Sequence, residues 1–232
     1  MIDRNGPKSR KRPVTISPEK ICFLCGKPGA DSVDHVVSRN LYPGPLPSDV
    51  LTQPAHGRCN KSTSKDEEDF RNVIAGVASE NAGERALLEK AIRSFVRPEA
   101  AGMASDFQRR MQPLPEGGGI ISIDLRREMY VLAKIAKGVT RAAGGPILLP
   151  KDVRWFARKI DPNKFADALS PLRYEKTIEG VVTVWWDLVN RTGIWCMRFY
   201  GAPWCFVISS FSSERRFANK EVGALYLPWP RA

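Results

Sequence analysis

Histidine is almost missing from this chain: there are two, His35 and His56, in 232 residues. Cysteine is sparse as well, with Cys22, Cys25, Cys59, Cys196 and Cys205. An odd, scattered set argues against a disulfide framework. Apolar runs are short. None reaches the ~18 residues of a membrane-spanning helix, which excludes that class. The N-terminus lacks the apolar stretch of a secretory leader, so the expected location is cytoplasmic, at the nucleoid in a bacterium. Acidic residues are outnumbered, 25 against 36 Lys and Arg, giving a net charge of +11. Hydrophobic residues make up 43%, enough for a sizeable core, and this excludes disorder for the chain as a whole. A basic excess of this size favours a polyanionic partner, most often nucleic acid. On charge alone, a merely basic soluble protein is the alternative.

At roughly 150 residues per domain, the length suggests one large or two small domains. Residues 1–18 read as a basic flexible tail. Lys8, Arg10, Lys11 and Arg12 lie between Pro7 and Pro13, either as a phosphate-contacting arm or as a solvated one. Residues 19–80 form a compact unit. Gly26, Pro28 and Gly29 mark a turn, 32–37 reads as a strand, and three prolines make 42–48 a loop. A helix follows, opened by a capping-box pattern, Ser64-x-x-Glu67, with Phe70, Val73, Ile74 and Val77 at helical spacing.

Residues 81–119 read as a helical connector. One helix is expected over 84–97, with Leu87, Leu88, Ala91, Ile92 and Phe95 inward. A short one is expected over 100–111, and then a linker over 112–119. Residues 120–232 read as an α+β domain, with target recognition as the role to test. A long amphipathic helix over 123–142 turns Leu125, Met129, Leu132, Ala133 and Ala136 inward, and Gly144-Gly145-Pro146 stops it. A short helix is expected over 151–159. The β-branched and aromatic runs 180–187, 193–200 and 204–209 predict an antiparallel meander. Of the six tryptophans, most are expected to pack a core, although a docking surface is an alternative. The whole is α+β. Its positive charge is divided: residues 1–61 carry +5 and residues 120–232 carry +8, around a near-neutral connector.

Four of the seven cysteines and histidines fall into two pairs, Cys22-x-x-Cys25 and His56-x-x-Cys59. Zinc takes sulfur and nitrogen ligands tetrahedrally, and a two-residue gap lets both members of a pair reach one ion. The pattern therefore predicts a structural zinc. The bland alternative is a reduced cysteine pair lining a small core, with His56 unrelated. Cys196 and Cys205 sit in apolar, aromatic runs and read as small buried hydrophobes.

Asp34 and His35 are adjacent in the expected strand, and Asn60 follows the last zinc ligand. A carboxylate and an amide oxygen are hard ligands of the kind Mg²⁺ accepts. A histidine outside the coordination sphere can take a proton from water near neutral pH. The set Cys22-x-x-Cys25-Gly26, Asp34-His35-Val36 and His56-x-x-Cys59-Asn60-Lys61 resembles the HNH endonuclease family, the zinc-bearing ββα-metal nucleases. The resemblance spans residues 19–75.

It implies a metal-dependent endonuclease acting on DNA, most simply double-stranded. His35 would be the general base. Asp34 and Asn60 would hold a catalytic Mg or Mn ion. Cys22, Cys25, His56 and Cys59 would hold zinc. Arg39, Arg58 and Lys61 are candidate phosphate contacts. The family's middle asparagine is replaced by Leu51, which removes an expected support for the loop behind His35. The proline expected after the Asp-His pair is absent too. Glu67 and Glu68 read as helix-initiating, with metal assistance the lesser alternative. Two competing readings remain: a zinc-stabilised nucleic-acid-binding protein without catalysis, and an interaction protein that uses zinc only as a staple.

Overall fold

The computed structural model describes residues 20–77, 82–115, 119–122, 124–148, 153–160, 172–178, 180–189, 192–201 and 205–212. Lys8, Arg10, Lys11 and Arg12 lie outside them. The order is β1 (Ser32–His35), β2 (Thr52–Ala55), α1 (Gly57–Ser62), α2 (Ser64–Val77), α3 (Ala82–Phe95) and α4 (Ala101–Arg110). It continues through β3 (Met111–Pro113), β4 (Gly119–Ile121), α5 (Leu125–Ala142), β5 (Val153–Ile160), β6 (Tyr174–Ile178), β7 (Val182–Val189), β8 (Thr192–Phe199) and β9 (Cys205–Ser212). The chain is α+β, with a five-stranded antiparallel sheet in the order β5-β9-β8-β7-β6 and two short two-stranded sheets.

The N-terminal unit is built locally. Gly26 and Gly29 take φ of 74° and 82°, the left-handed region that a side chain disfavours, and so close the expected turn. Ile21 bridges Pro28 across it. β1 and β2 pair antiparallel, with His35 opposite Thr52 and Asp34 opposite Gln53. β1 stops at His35, two residues short of the expected 32–37. Beyond it the chain bends, and Val36 and Val37 go into the core. β2 was not expected; Pro54 is tolerated because a two-stranded sheet consists only of edges.

α2 buries Phe70, Val73 and Ile74 as the spacing predicts. α3 buries Leu87 and Ala91, but Ile92 is 52% exposed rather than inward. α5 is the central element. Asp124 caps it, accepting from the Arg126 backbone N–H at 3.0 Å. Gly144, at φ 80°, ends it while the Gly145 N–H returns to the Thr140 carbonyl. Met129, Leu132, Ala133 and Ala136 are buried as expected, yet nearly everything else from Glu128 to Thr140 is buried too. One side of α5 packs on the large sheet, where Trp195 Nε1 donates to Thr140 Oγ1 at 3.1 Å. Another meets the zinc-patterned unit: a Cβ on Gly138 would stand 2.5 Å from Val36 Cγ1.

Two further expectations change, and one strand is added. Of the helix expected over 151–159, the described residues from Val153 on are not helical, because β5 pairs along its whole length with β9, from Val153 opposite Ser212 to Ile160 opposite Cys205. A partner fifty residues away overrides the local pattern. The linker over 112–119 contributes instead to the β3–β4 pair, and β6 adds an unexpected edge strand. Buried residues on both sides of position 119 share one cluster. One hydrophobic cluster runs from Val36 and Val37 through Phe70, Ile74 and Leu87 to α5, and on to Trp195, Phe199, Phe206 and Ile208. Phe70 of α2 meets Phe199 edge-on at 5.1 Å. Trp186, Trp195 and Cys196 are buried as core. The side chains of Trp155, Trp204, Trp229 and Cys205 lie outside the described residues. Among the described residues, no helix is long and apolar enough to cross a membrane.

Candidate functional site

The two pair motifs converge. One donor atom from each of Cys22, Cys25, His56 and Cys59 lies within 4.8 Å of the others. His56 Nδ1 stands 3.4 Å from Cys25 Sγ and 3.8 Å from Cys59 Sγ. Tetrahedral zinc with ordinary Zn–S and Zn–N lengths puts such atoms about 3.6 Å apart. His56 Nε2 lies 3.0 Å from the Pro28 carbonyl, which can only accept, so Nε2 carries the proton and Nδ1 presents its lone pair to the sulfurs. Asp31 fixes the approach of α1 by accepting from the Gly57 N–H at 2.7 Å. Burial, with the neighbouring Cys22 and Cys25 sulfurs, pushes the Cys59 thiol up to about 12, a crowding of like charge that a cation would relieve. The cluster can hold a zinc ion.

A second, polar cleft of about 290 Å³ lies beside it, lined by Val33, Asp34, His35, Ser38, Arg39, Asn40, Asn60 and Glu67. The end of β1 turns Asp34 and His35 into one cleft, overcoming the alternation of a regular strand. α1 brings Asn60 in one residue after Cys59. All three residues expected to act together therefore share a cleft. Neither the His35 imidazole nor the Asn60 amide hydrogen-bonds to another described residue. Burial, aided by the Arg39 and Lys134 charges, holds the His35 pKa below its ordinary value, which keeps the ring neutral and able to accept a proton. Of the expected phosphate contacts, Arg39 lines the cleft and is exposed. Arg58 and Lys61 are exposed on α1 but do not line it.

Asp34 is not the open ligand that the sequence suggests. It is 3% exposed, and its Oδ1 and Oδ2 lie 2.9 and 2.8 Å from Lys134 Nζ. Burial raises the Asp34 carboxyl; Lys134 opposes that rise, and the Glu67 charge adds to it. Lys134 also reaches Glu67 Oε1 at 2.6 Å. Glu67 Oε1 further accepts from Thr63 at 3.1 Å, and Oε2 from Ser38 at 2.9 Å. Glu67 is thus no capping-box partner. Its side chain is drawn inward to a buried ammonium, while Ser64 Oγ donates to the Lys61 carbonyl. In this arrangement a hydrated divalent ion does not fit Asp34.

Sequence reasoning missed Asn40, Ser38, Lys134 and Lys137. Lys137, fully buried, donates to the Leu24 carbonyl at 3.0 Å, between Cys22 and Cys25. A signal for the lysines was present. Residues 131–139 read VLAKIAKGV, apolar around the whole helix except at positions 134 and 137. A helix apolar on every side is buried, and a buried lysine needs a partner.

No protein-family model matches this chain, and neither a curated protein nor a solved structure matches it.

Proposed function

We propose that this protein is a zinc-stapled endonuclease of the HNH type that hydrolyses phosphodiester bonds in DNA. The observation that carries the reading is the convergence of His35, Asp34 and Asn60 on one polar cleft beside the Cys22/Cys25/His56/Cys59 cluster. The cluster staples two loops thirty residues apart with a structural zinc, which is worth ~10–16 kcal/mol in small zinc units. His35 takes a proton from a water that attacks phosphorus in line, and the leaving 3′ oxygen departs with a proton from solvent. The Asn60 and Asn40 amides and the Arg39 guanidinium are the polar groups available to orient a phosphate. The +11 charge draws the polyanion in.

Plasmid nicking tests it. His35→Ala is expected to keep DNA binding and zinc while losing cleavage; undiminished cutting by that variant would remove His35 from the mechanism. One observation favours a second reading, a zinc-stabilised nucleic-acid-binding protein without catalysis: Asp34 is already paired with Lys134. In that case the wild type binds DNA with a steep salt dependence and cuts it under no metal condition.

A further inference from the structure

Two carboxylates, Asp34 and Glu67, line the same cleft from different elements. Side by side and nearly buried, they would repel each other unless a cation lay between them. Lys134 supplies it. Its side chain is 1% exposed and its Nζ comes within 3 Å of both groups. It does not line the cleft; it rises from α5 beneath the floor. Three of the four carboxylate oxygens accept hydrogen bonds from within the protein: Asp34 Oδ1 from Lys134, Glu67 Oε1 from Lys134 and Thr63, and Glu67 Oε2 from Ser38. The fourth, Asp34 Oδ2, has no hydrogen-bond partner among the described residues and is sealed from solvent, 2.8 Å from the ammonium. No carboxylate oxygen of the pair is left for a water-laden Mg²⁺, which keeps most of its hydration shell and strict octahedral geometry.

We propose that Lys134 takes the place at Asp34 and Glu67 that a divalent cation would otherwise hold, so that this cleft carries its cation covalently, on a helix a hundred residues downstream. Lys134 is a positioning residue. It fixes both carboxylates as the cleft floor and keeps Asp34 from recruiting an exchangeable metal. The idea deepens the nuclease reading, resting on it for what the floor is used for, but the cation balance can be tested without cleavage.

The chain offers a clean probe, because His35 and His56 are its two imidazoles. Zinc-loaded, full-length protein is titrated with Mn²⁺ while the ring resonances are followed by NMR. The paramagnetic ion broadens a ring beside which it binds. In the wild type, one equivalent of Mn²⁺ is expected to leave the His35 resonances sharp. Lys134→Met is expected to create a site and broaden them at the same ratio. Broadening of His35 in the wild type overturns the proposal, and so does a folded, zinc-loaded Lys134→Met that takes up no Mn²⁺. Removing one member of a buried ionic group is strongly destabilising, so this variant can fail to fold; the wild-type titration then decides alone. A protein that cuts no DNA yet keeps His35 sharp loses the nuclease reading and retains this one.

Discussion

Glu128→Gln is expected to stabilise the protein by about 3 kcal/mol at pH 7 and by less than about 1 kcal/mol at pH 5. Glu128 lies near the start of α5, fully buried, and neither carboxyl oxygen has a hydrogen-bond partner on another described residue. Burial pushes its pKa from 4.5 up to about 8, with the Asp69 and Asp124 charges adding to the rise and Arg110 opposing it. The folded state therefore holds a proton that the unfolded chain releases above pH 4.5. Stability is full below that value, falls as pH rises by about 1.4 kcal/mol per unit, and levels off above pH 8. Between pH 4.5 and 7 the loss is about 3 kcal/mol. Glutamine keeps the shape and never ionises, so it removes that loss. Urea unfolding of both proteins at pH 5, 6 and 7 measures the difference, and effects of pH on the cysteine ligands cancel because both proteins share them. A stability gain independent of pH, or none at pH 7, would refute the reasoning.

Zinc removal should be drastic. Cys22→Ala or His56→Ala is expected to unfold residues 20–62 and leave well under one zinc per chain by elemental analysis, with circular dichroism following the collapse; a folded, zinc-free variant would contradict the staple. Because Cys59 is held near 12 without a metal, zinc uptake should also release protons, measurable by calorimetry in buffers of different ionisation enthalpy. The acid limb of cleavage should lie below pH 6.5, since burial and the charges of Arg39 and Lys134 disfavour the charged His35. Arg39→Ala should move that limb upward, and an unmoved limb would detach Arg39 from His35. Gly138→Ala, favourable in an isolated helix, should instead cost about 1–3 kcal/mol because its Cβ would collide with Val36. Val36→Ala in the same chain should recover part of that loss, as thermal unfolding would show.

Local spacing determined a good deal on its own. A two-residue gap lets both members of a pair reach one ion, so the Cys22/Cys25/His56/Cys59 cluster could be read without a structure. Helical periodicity placed α2, α3 and α5 to within a few residues, and β-branched aromatic runs placed β7, β8 and β9. The cleft was half legible: His35, Asp34 and Asn60 each lie close in sequence to the elements that carry them. Asn40 enters through a bend that no periodicity encodes. The strand at 153–160 depends on β9, and the inward turn of Glu67 depends on Lys134. The pairing of Asp34 with Lys134 spans 100 residues, and the charge of the cleft rests on it. Sequence pattern reports what neighbours along the chain can do together. Which distant charges must neutralise one another is settled only when burial removes the water that would otherwise have screened them.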